Sequence, residues 1–427
     1  MVDATEALEE APEGFKLTEL GPLPEEWDVA TLEEVCRPRG TTIDPSGAGD
    51  VPYVGLEHMD TGEPRLGRWG RSLEVKSSKA QFRAGDVLYG KLRPYLDKAV
   101  LAQMDGICST DILVFRVNQA KATPAFLVNV VHSRSFLARA IDTTAGTNYP
   151  RTSWAALREF PIPLPPLEEQ RAIAHVLSTI QRAIEATERV IAAARQFKRS
   201  LMQYLFTYGP VPISEAEGVP LKETGIGPVP ERWELVQLGQ VARIQSGGTP
   251  SRKSPAYWNG QIPWVKTAEI DYRLITTTQE RITRQGLDNS SARLLPPGTL
   301  LMAMYGQGVT RGRVAVLGIE ASTNQACAAL VPDDRVSVGY LYAYLSHMYQ
   351  MVRNLGHGAH QKNLSAEIIR TIPLAVPSID EQERIAGMLS GIESNLEAEE
   401  KRKTALKELF RTMLHLLMTG QVRVEEL

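Results

Sequence analysis

The sixteen residues PPLEEQRAIAHVLSTI (Pro165–Ile180) return 212 positions later as PSIDEQERIAGMLSGI (Pro377–Ile392). A second repeated segment begins each copy, where GPLPEEWDVATLEEV (Gly21–Val35) matches GPVPERWELVQLGQV (Gly227–Val241). Between these repeated segments the two copies diverge. The chain is therefore a tandem duplication whose copies are similar at their edges and different in the middle. Two copies are too few for a solenoid, which needs about three repeats to stabilise one another.

A helical pattern follows each Glu-Gln pair. Apolar residues recur there mostly at steps of three and four, as on the face of a helix that packs against another helix. These stripes comprise Ile173, Leu177, Ile180, Ile184, Ile191, Leu201 and Leu205 in the first copy and Ile385, Leu389, Ile392, Leu396, Leu406, Phe410, Met413 and Leu417 in the second. Prolines precede both stripes and Gly209 and Gly420 follow them, where helix starts and ends are expected. Each helix is predicted to run about 36–40 residues, on the order of 55–60 Å.

The two blocks that precede the helices have strand character. DVLYGKL, KAVLAQM and DILVFRV in the first block correspond to TLLMAMY, GRVAVLGI and QACAALV in the second. The predicted fold is therefore α/β (α+β), with two mixed α/β domains separated by two long antiparallel helices that form an intramolecular coiled coil, and with an internal pseudo-twofold. The predicted boundaries are 1–20 (acidic, flexible segment), 21–160 (domain 1), 161–209 (helix 1), 210–226 (connector), 227–372 (domain 2), 373–420 (helix 2) and 421–427 (tail).

Composition indicates a soluble globular protein with more than one core. The chain has 427 residues, of which 43% are hydrophobic and 23% charged. No apolar run approaches the roughly 18 residues that span a bilayer, and the N-terminus is acidic where a signal peptide would be basic. We therefore expect a cytoplasmic protein. Its three cysteines, Cys36, Cys108 and Cys327, fit buried residues in a reducing compartment better than disulfides or zinc ligands.

The net charge of −3 conceals a segregation of charge along the chain. Residues 1–27 hold one Lys or Arg against eight Asp or Glu, whereas residues 28–160 hold 17 against 15 and residues 234–372 hold 14 against 9. Both blocks are thus mildly basic, which permits a DNA partner without establishing one.

Residues able to carry catalysis are scarce. No phosphate-binding GxxxxGK[ST] is present, and neither Pro-Pro pair follows a polar residue as in DNA amino-methyltransferases. The carboxylates of Asp60 and Glu74, with Lys76, could hold Mg²⁺ and orient water as in a nuclease, although the second block has no equivalent. His357 and His360 form an HxxH, but no third metal ligand stands nearby. We predict no catalytic residue and no metal site, and keep a Mg²⁺-dependent restriction endonuclease as an alternative.

A binding surface is the better interpretation of the polar residues on the Gly-rich loops. Arg and Lys neutralise phosphates or read guanine, and Asn and Gln read adenine. The predicted DNA-binding residues are Arg65, Arg68, Arg71, Lys79, Arg83, Tyr89, Lys91, Arg93, Lys98, Asn148, Tyr149 and Arg151 in the first block, and Arg252, Lys253, Tyr257, Trp258, Lys266, Tyr305, Gln307, Arg311, Arg313, His360, Gln361, Lys362 and Asn363 in the second.

The order of these parts resembles the specificity subunit of type I restriction-modification systems. The resemblance extends from about Gly21 to Gly420 and rests on the two Glu-Gln-led helices, their LFTYG and LLMTG ends, the GPLPEEW and GPVPERW openings and the GHGAHQKNLS loop. In the first block AGTNYPRTS stands in place of that loop.

The resemblance implies that each block is a target recognition domain that reads one half of a bipartite site in double-stranded DNA. It implies that the helices set the spacing and dock two methyltransferase (modification) subunits, with restriction/translocase subunits joining through that core. This chain would bind no cofactor itself, and S-adenosylmethionine, ATP and Mg²⁺ would belong to the partner subunits. A coiled-coil adaptor without DNA specificity is the remaining alternative.

Overall fold

The structure is a computed structural model that describes residues 11–306, 309–355 and 363–424. The chain forms two compact units. Unit 1 comprises Met1–Glu188 and Lys401–Leu427, and unit 2 comprises Arg189–Glu400. Neither unit coincides with a sequence repeat, because each contains the first half of one long helix and the second half of the other.

In the described part of unit 1, thirteen short strands and four short helices precede the long helix. In chain order they are β1 (Phe15–Thr18), β2 (Gly21–Pro24), β3 (Asp28–Thr31), α1 (Leu32–Val35), β4 (Cys36–Pro38), β5 (Thr42–Ile43), β6 (Pro52–Val54), β7 (Gly70–Arg71), β8 (Lys79–Phe82), β9 (Val87–Gly90), β10 (Ala99–Leu101), β11 (Gly106–Cys108), β12 (Ile112–Val117), α2 (Pro124–Val130), α3 (Arg134–Asp142), α4 (Trp154–Leu157) and β13 (Pro161–Leu164). The long helix α5 (Leu167–Tyr208) follows, with 42 residues.

Unit 2 repeats this order of elements with small changes. They are β14 (Leu221–Lys222), β15 (Val229–Pro230), β16 (Glu234–Gln237), α6 (Leu238–Val241), β17 (Ala242–Ser246), β18 (Trp258–Val265), β19 (Leu274–Ile275), β20 (Glu280–Ile282), α7 (Arg284–Asp288), β21 (Leu300–Ala303), β22 (Val314–Leu317), β23 (Ser322–Thr323), β24 (Cys327–Pro332), α8 (Val338–His347), α9 (Tyr349–Asn354), α10 (Ala366–Arg370) and β25 (Pro373–Val376). The second long helix, α11 (Ile379–Met418), has 40 residues.

The four central strands of one sheet have the same order in the two units. The order β10-β9-β12-β4 in unit 1 corresponds to β22-β21-β24-β17 in unit 2, and all these pairs are antiparallel. A parallel pair occurs in each unit as well, β11 with β6 and β23 with β18. The six strands predicted from the repeated blocks are all present. The predicted α/β (α+β) class with two mixed α/β domains is confirmed.

Buried aromatic residues fill the core of each unit. Trp27, Phe115, Phe126 and Phe136 are fully buried in unit 1 beneath the sheet and the short helices. In unit 2 a buried tryptophan and two buried tyrosines of α8 occupy a similar core. Burial of each such side chain contributes about 1.5–3 kcal/mol. The three cysteines are also buried, as expected.

The long helices pack antiparallel within each unit. In unit 1 Glu188 of α5 pairs with Lys407 of α11 at 3.7 Å. In unit 2 Arg195 pairs with Glu400 at 2.6 Å, and Lys198 pairs with Glu393 at 2.5 Å. The residue numbers rise on one helix as they fall on the other, which confirms the predicted antiparallel packing. These ion pairs lie in the polar middle of the helices, where Thr187 and Lys198 interrupt the stripe of α5 and Glu399 and Lys403 interrupt that of α11.

The sequence predicted that the two apolar stripes bury one another, and in the structure they also pack into the cores of the two units. Most stripe residues join the same clusters as the sheets, those at the start of α5 and the end of α11 in unit 1 and those at the end of α5 and the start of α11 in unit 2. Buried stripe residues are Ile173, Leu177, Ile184, Ile191, Leu205, Ile385, Leu389, Phe410 and Leu417, and half-buried ones are Ile180, Leu201, Ile392, Leu396, Leu406 and Met413.

The glutamine of the first repeated Glu-Gln pair joins α5 to the chain before α2. Gln170 is fully buried, and its Oε1 accepts a hydrogen bond from the Thr123 amide at 2.8 Å. Its Nε2 donates to the carbonyls of Lys121 and Pro165, both at 2.9 Å. One amide side chain therefore fixes the loop before α2 against the start of the long helix.

The second glutamine makes the same three contacts in unit 2. Gln382 is also fully buried, and it accepts from the Ser337 amide at 2.8 Å. It donates to the carbonyls of Arg335 at 2.8 Å and Pro377 at 3.0 Å. Because the two sets of partners correspond one to one, the repeated dipeptide encodes the same junction twice.

The glutamate of each pair binds the tryptophan that ends the opening motif. Trp27 Nε1 donates to Glu169 at 2.8 Å, and Trp233 Nε1 donates to Glu381 at 3.4 Å. The glycine that ends the partner helix lies against the same motif. Gly420 has φ +66°, and a Cβ there would stand 2.4 Å from Pro24. The repeated edges of the sequence thus meet in space: the Trp–Glu contact lies within each copy, and the glycine that ends the second long helix contacts the opening motif of the first copy.

Two predicted boundaries need correction because the repeat begins earlier than Gly21 and Gly227. Within the segment 1–20, predicted to be flexible, β1 pairs antiparallel with β2. Within the predicted connector 210–226, β14 pairs with β15 in the same way. Thr18 donates to the Gly21 carbonyl at 2.7 Å, as Thr224 does to Gly227 at 2.6 Å. Backbone pairing orders these short polar stretches, which carry no periodic apolar signal.

Candidate nucleic-acid interface

Several predicted residues of the first block come together where two loops of unit 1 pair. The loop pair consists of residues 91–97, which follow β9, and residues 145–152, which precede α4. The Arg93 amide donates to the Pro150 carbonyl at 2.7 Å, and the Thr152 amide donates to Lys91 at 3.1 Å. This backbone pairing brings predicted residues from positions 91, 93, 148, 149 and 151 onto one surface.

Side chains of the loop pair are arranged by stacking and by charge. The Arg93 guanidinium carbon lies 5.5 Å from the centre of the Tyr149 ring. Arg151 forms a two-pronged ion pair with Asp111, at 2.8 and 3.2 Å. Asn148 and Tyr149 are exposed, and Tyr149 has 60% of its surface accessible. An exposed aromatic ring among cations can stack on a base or on a sugar.

The first loop has left-handed backbone at two positions. Arg93 has φ +52° and Asp97 has φ +47°, and one turn of 3₁₀ helix lies between them. The Asp97 carboxylate bonds to Nδ1 of buried His132 at 2.7 Å, and His132 Nε2 bonds to the Ala99 carbonyl at 2.9 Å. Because both ring nitrogens face acceptors, His132 holds the end of the loop from beneath.

Three other predicted arginines of unit 1 each pair with a carboxylate at a separate place. Arg65 pairs with Glu185 at 2.8 Å, Arg68 pairs with Asp60 at 2.6 Å, and Arg71 pairs with Asp50. The pairing with Arg71 lowers the pKa of the Asp50 carboxyl. All three arginines are exposed, so their pairs are screened by solvent and bind weakly.

Some predicted residues of unit 1 are not placed to contact DNA. Tyr89 is 2% exposed and stacks on Phe115, since β9 directs it into the core, and this burial raises the pKa of its hydroxyl. Lys79 is 5% exposed and donates to the Ser77 carbonyl at 2.7 Å. The prediction that Tyr89 and Lys79 line an exposed surface is therefore wrong.

Two further predicted cations of unit 1 differ in how their side chains are used. The ammonium of Lys98 donates to the Leu56 carbonyl at 2.6 Å, so it supports the loop beneath it. Arg83 is exposed, and its backbone amide donates to Asp86 at 2.8 Å. The sequence pattern alone does not distinguish these two uses, because both residues stand next to strands.

In unit 2 the predicted residues Arg252, Trp258 and Lys266 converge. The Arg252 guanidinium lies 3.7 Å from the Trp258 ring centre and 5.1 Å from that of Trp264. Glu280 binds both cations, Arg252 at 2.6 Å and Lys266 at 3.0 Å. The hydrogen bond from Arg252, followed by that from Lys266, lowers the pKa of the Glu280 carboxyl despite some burial. We name these five residues the tryptophan–arginine cluster.

The remaining candidates of unit 2 are dispersed. Arg313 pairs with Asp271 and lies 5.7 Å from the Tyr272 ring centre. Arg311 is only 6% exposed, so the prediction that it lies on an exposed surface is wrong. Lys253, Tyr305 and Asn363 are exposed and Tyr257 is half-buried, whereas Gln307, His360, Gln361 and Lys362 lie outside the described residues.

Asp60 and Glu74, two residues of the nuclease alternative, each contact an arginine. Asp60 pairs with Arg68, and Glu74 accepts a hydrogen bond from the Arg71 amide at 3.2 Å. Over residues 11–306, 309–355 and 363–424, no cluster of three or more His, Cys, Asp or Glu side chains is placed to hold a metal ion. His357 and His360 lie outside those residues. In the same ranges, no helix combines the length and the apolar character needed to cross a bilayer.

Sequence reasoning missed the residues that hold the candidates in place. Asp111 fixes Arg151, while Glu280 fixes the cations of the tryptophan–arginine cluster. Asp97 and His132 support the loop pair. Each lies 14 to 40 positions from its partner along the chain. Asp97 directly after RPYL gave the one local signal, since an acid there can accept left-handed backbone.

Two mixed α/β units that share the order of their central strands, with long antiparallel helices and different polar loops, define a protein with a duplicated frame for recognition. The model of the type I restriction modification DNA specificity domain matches residues 24–195 and 230–408. The chain belongs to this family.

Curated relatives agree with that assignment, and solved structures share the fold. The specificity subunit of the MjaVIII type I restriction enzyme from Methanocaldococcus jannaschii is 22% identical over 420 residues, 95% of each chain. The S subunit of a type I system from M. genitalium matches with a TM-score of 0.60 at 16% identity, covering 96% of this chain and 99% of that one. A chain from a study of type I R-M complex assembly matches with a TM-score of 0.58 at 24% identity, covering 94% and 99%.

Proposed function

We propose that this chain is the DNA sequence-recognition subunit of a type I restriction-modification complex, in which each unit reads one half of a bipartite target. The observation that carries the proposal is a shared frame with different loops. Strands β9 and β21 occupy the same place in the two sheets, but the loops after them read KLRPYLD and MYGQG. A constant frame with variable loops is the arrangement expected when two different sequences are read.

The repeated junctions support two equivalent docking sites for modification subunits. Gln170 and Gln382 make matching contacts, as do Glu169 and Glu381. These largely buried contacts give the two junctions the same geometry and so make the surfaces around them equivalent, and equivalent surfaces are suited to binding two copies of one partner. In this proposal methyltransferase subunits supply S-adenosylmethionine chemistry, and restriction/translocase subunits with ATP and Mg²⁺ join through them. The chain itself is non-catalytic, binds no cofactor and acts in the cytoplasm on double-stranded DNA.

The proposal also assigns the spacing between half-sites to the long helices. A helix of 40 residues extends about 60 Å, more than the 34–36 Å of one DNA turn. Deleting seven residues from the polar middle of both α5 and α11 removes about 10 Å while keeping the apolar stripes in phase. We expect the permitted gap between half-sites to change while each half-sequence stays the same.

The test of the whole proposal is co-expression of the chain with its modification subunit, followed by mapping of methylated bases in the host DNA. A split motif of two defined half-sequences is the expected result. Methylation that depends on the modification subunit but not on this chain, or an undivided motif, would reject the proposal. Mg²⁺-dependent cleavage by the purified chain alone, abolished by Glu74→Ala, would instead establish the nuclease alternative.

A further inference from the structure

The backbone of Arg93 is held in a conformation that non-glycine residues rarely adopt. Its φ of +52° lies in the left-handed region, which persists only where neighbouring structure enforces it. Here the Arg93 amide donates to the Pro150 carbonyl at 2.7 Å, and its own carbonyl accepts from the Leu96 amide at 2.9 Å. Buried Pro94 follows directly. The position from which the Arg93 side chain departs is thus fixed before any ligand binds.

The guanidinium of Arg93 has hydrogen-bonding capacity that the protein leaves unused. It lies over the Tyr149 ring at 5.5 Å, a contact that orients the plane of the group without occupying its N–H donors. Its Nε is buried, yet has no hydrogen-bond acceptor within the described part of the chain. No ion pair to Arg93 is found among those residues either. Because Nε is buried, the terminal amino groups of the guanidinium are the donors that a ligand can reach, and they too have no hydrogen-bond acceptor within the described residues.

The absence of an ion pair among the described residues distinguishes Arg93 from four other predicted arginines of unit 1. Arg65, Arg68, Arg71 and Arg151 each already bind a carboxylate. If one of them bound DNA, its ion pair would have to open and leave an acid facing the negative DNA. Arg93 meets no such penalty, because an aromatic ring rather than a carboxylate positions it.

Resting on the function proposed above, we propose that Arg93 is a base-reading residue of unit 1. Its guanidinium donates two hydrogen bonds to O6 and N7 of a guanine in the major groove, and Tyr149 acts as the residue that positions it. A two-pronged contact of this kind is the most frequent specific arginine contact with DNA. A phosphate offers similar acceptors, but a phosphate contact would strengthen binding to every sequence equally.

Motif mapping in cells separates these cases. The full-length chain and its Arg93→Ala variant are each co-expressed with the modification subunit, and methylated sites are sequenced. We expect one base pair in one half-sequence to lose its preference for guanine by roughly 5- to 150-fold. The other half-sequence stays unchanged. Arg116→Ala, which removes an exposed arginine of β12 outside the loop pair, is the matched control and keeps the full motif.

Two variants of Tyr149 extend the test and guard against misfolding. Tyr149 is 60% exposed, so Tyr149→Leu removes the ring face without opening the core, and it should relax the same base pair. Tyr149→Phe keeps the face and should keep the motif. An unchanged motif in Arg93→Ala, uniformly weaker methylation that indicates a phosphate contact, or an unchanged motif in Tyr149→Leu would overturn the inference. Those results leave the proposed function intact, whereas a wild-type chain without a split motif rejects the function itself.

Discussion

Replacing Gln170 by leucine tests whether the repeated junction holds unit 1 together. Leucine fills a similar volume but leaves the Thr123 amide and the carbonyls of Lys121 and Pro165 without their partner. Each buried polar group that loses its hydrogen-bond partner lowers the free energy of unfolding by about 1–3 kcal/mol. Three such groups, taken at the lower end because water can reach some of them, predict a loss of about 3 kcal/mol.

Hydrogen exchange and urea unfolding measure this loss where it should arise. In the variant the Thr123 amide should exchange faster, together with the first turn of α2, and the unfolding midpoint of unit 1 should fall. Gln196→Leu is the matched control, since Gln196 is exposed on the same helix and should change stability by less than about 0.5 kcal/mol. Unchanged exchange at Thr123 with an unchanged midpoint would refute the reasoning.

Three further predictions concern pH, helix glycines and the cysteines. Burial raises the pKa of the Glu381 carboxyl, but hydrogen bonds and charge from Arg232, with Trp233 and Ser378, lower this pKa overall. The ionised carboxylate therefore stabilises the fold above pH 4.5, and this stabilisation is lost as the pH falls below 4.5. Glu381→Gln should make the urea midpoint depend less on pH in the acid range, and an unchanged dependence would contradict this prediction. Gly391→Ala should stabilise the chain by about 0.5–1 kcal/mol, since Gly391 lies in an exposed turn of α11 with open space where a Cβ would stand. Gly420→Ala should destabilise the chain, because Gly420 has a positive φ and a Cβ there would collide with Pro24. Thermal melts in which both variants shift the melting temperature in the same direction would contradict this prediction. Burial raises the pKa of all three cysteine thiols to about 12, so iodoacetamide should label them only after unfolding, and labelling of the native chain would contradict their placement.

Local patterns made the frame predictable. The spacing of Ile173, Leu177 and Ile184 gave helix α5 its buried face, and prolines and glycines marked its ends to within a few residues. Strands such as Val87–Gly90 followed from short apolar runs. These features depend on neighbours within a few positions, so the chain itself contains the information needed to recognise them.

The candidate site was less predictable because its side chains are sorted by contacts that are distant in sequence. Tyr89 and Arg93 stand four positions apart and looked equivalent, yet one is buried in the sheet and the other lies on a loop surface. Which arginines are already paired depends on acids such as Asp111, 40 positions from Arg151. Charge and spacing alone do not reveal such pairings, since any nearby acid on a loop is an equal candidate.

By itself the sequence determined the duplication, the two long helices, the α/β class and the family resemblance, because repeats and periodic apolar residues are local signals. Tertiary structure alone decided where one unit ends and the next begins. Each unit combines one copy's sheets with the end of the other copy's helix, since an antiparallel helix buries its stripe only against a partner running the opposite way. Tertiary structure also decided which polar side chains keep unpaired hydrogen-bond donors, because folding determines whether an arginine lies beside a carboxylate or beside an aromatic ring.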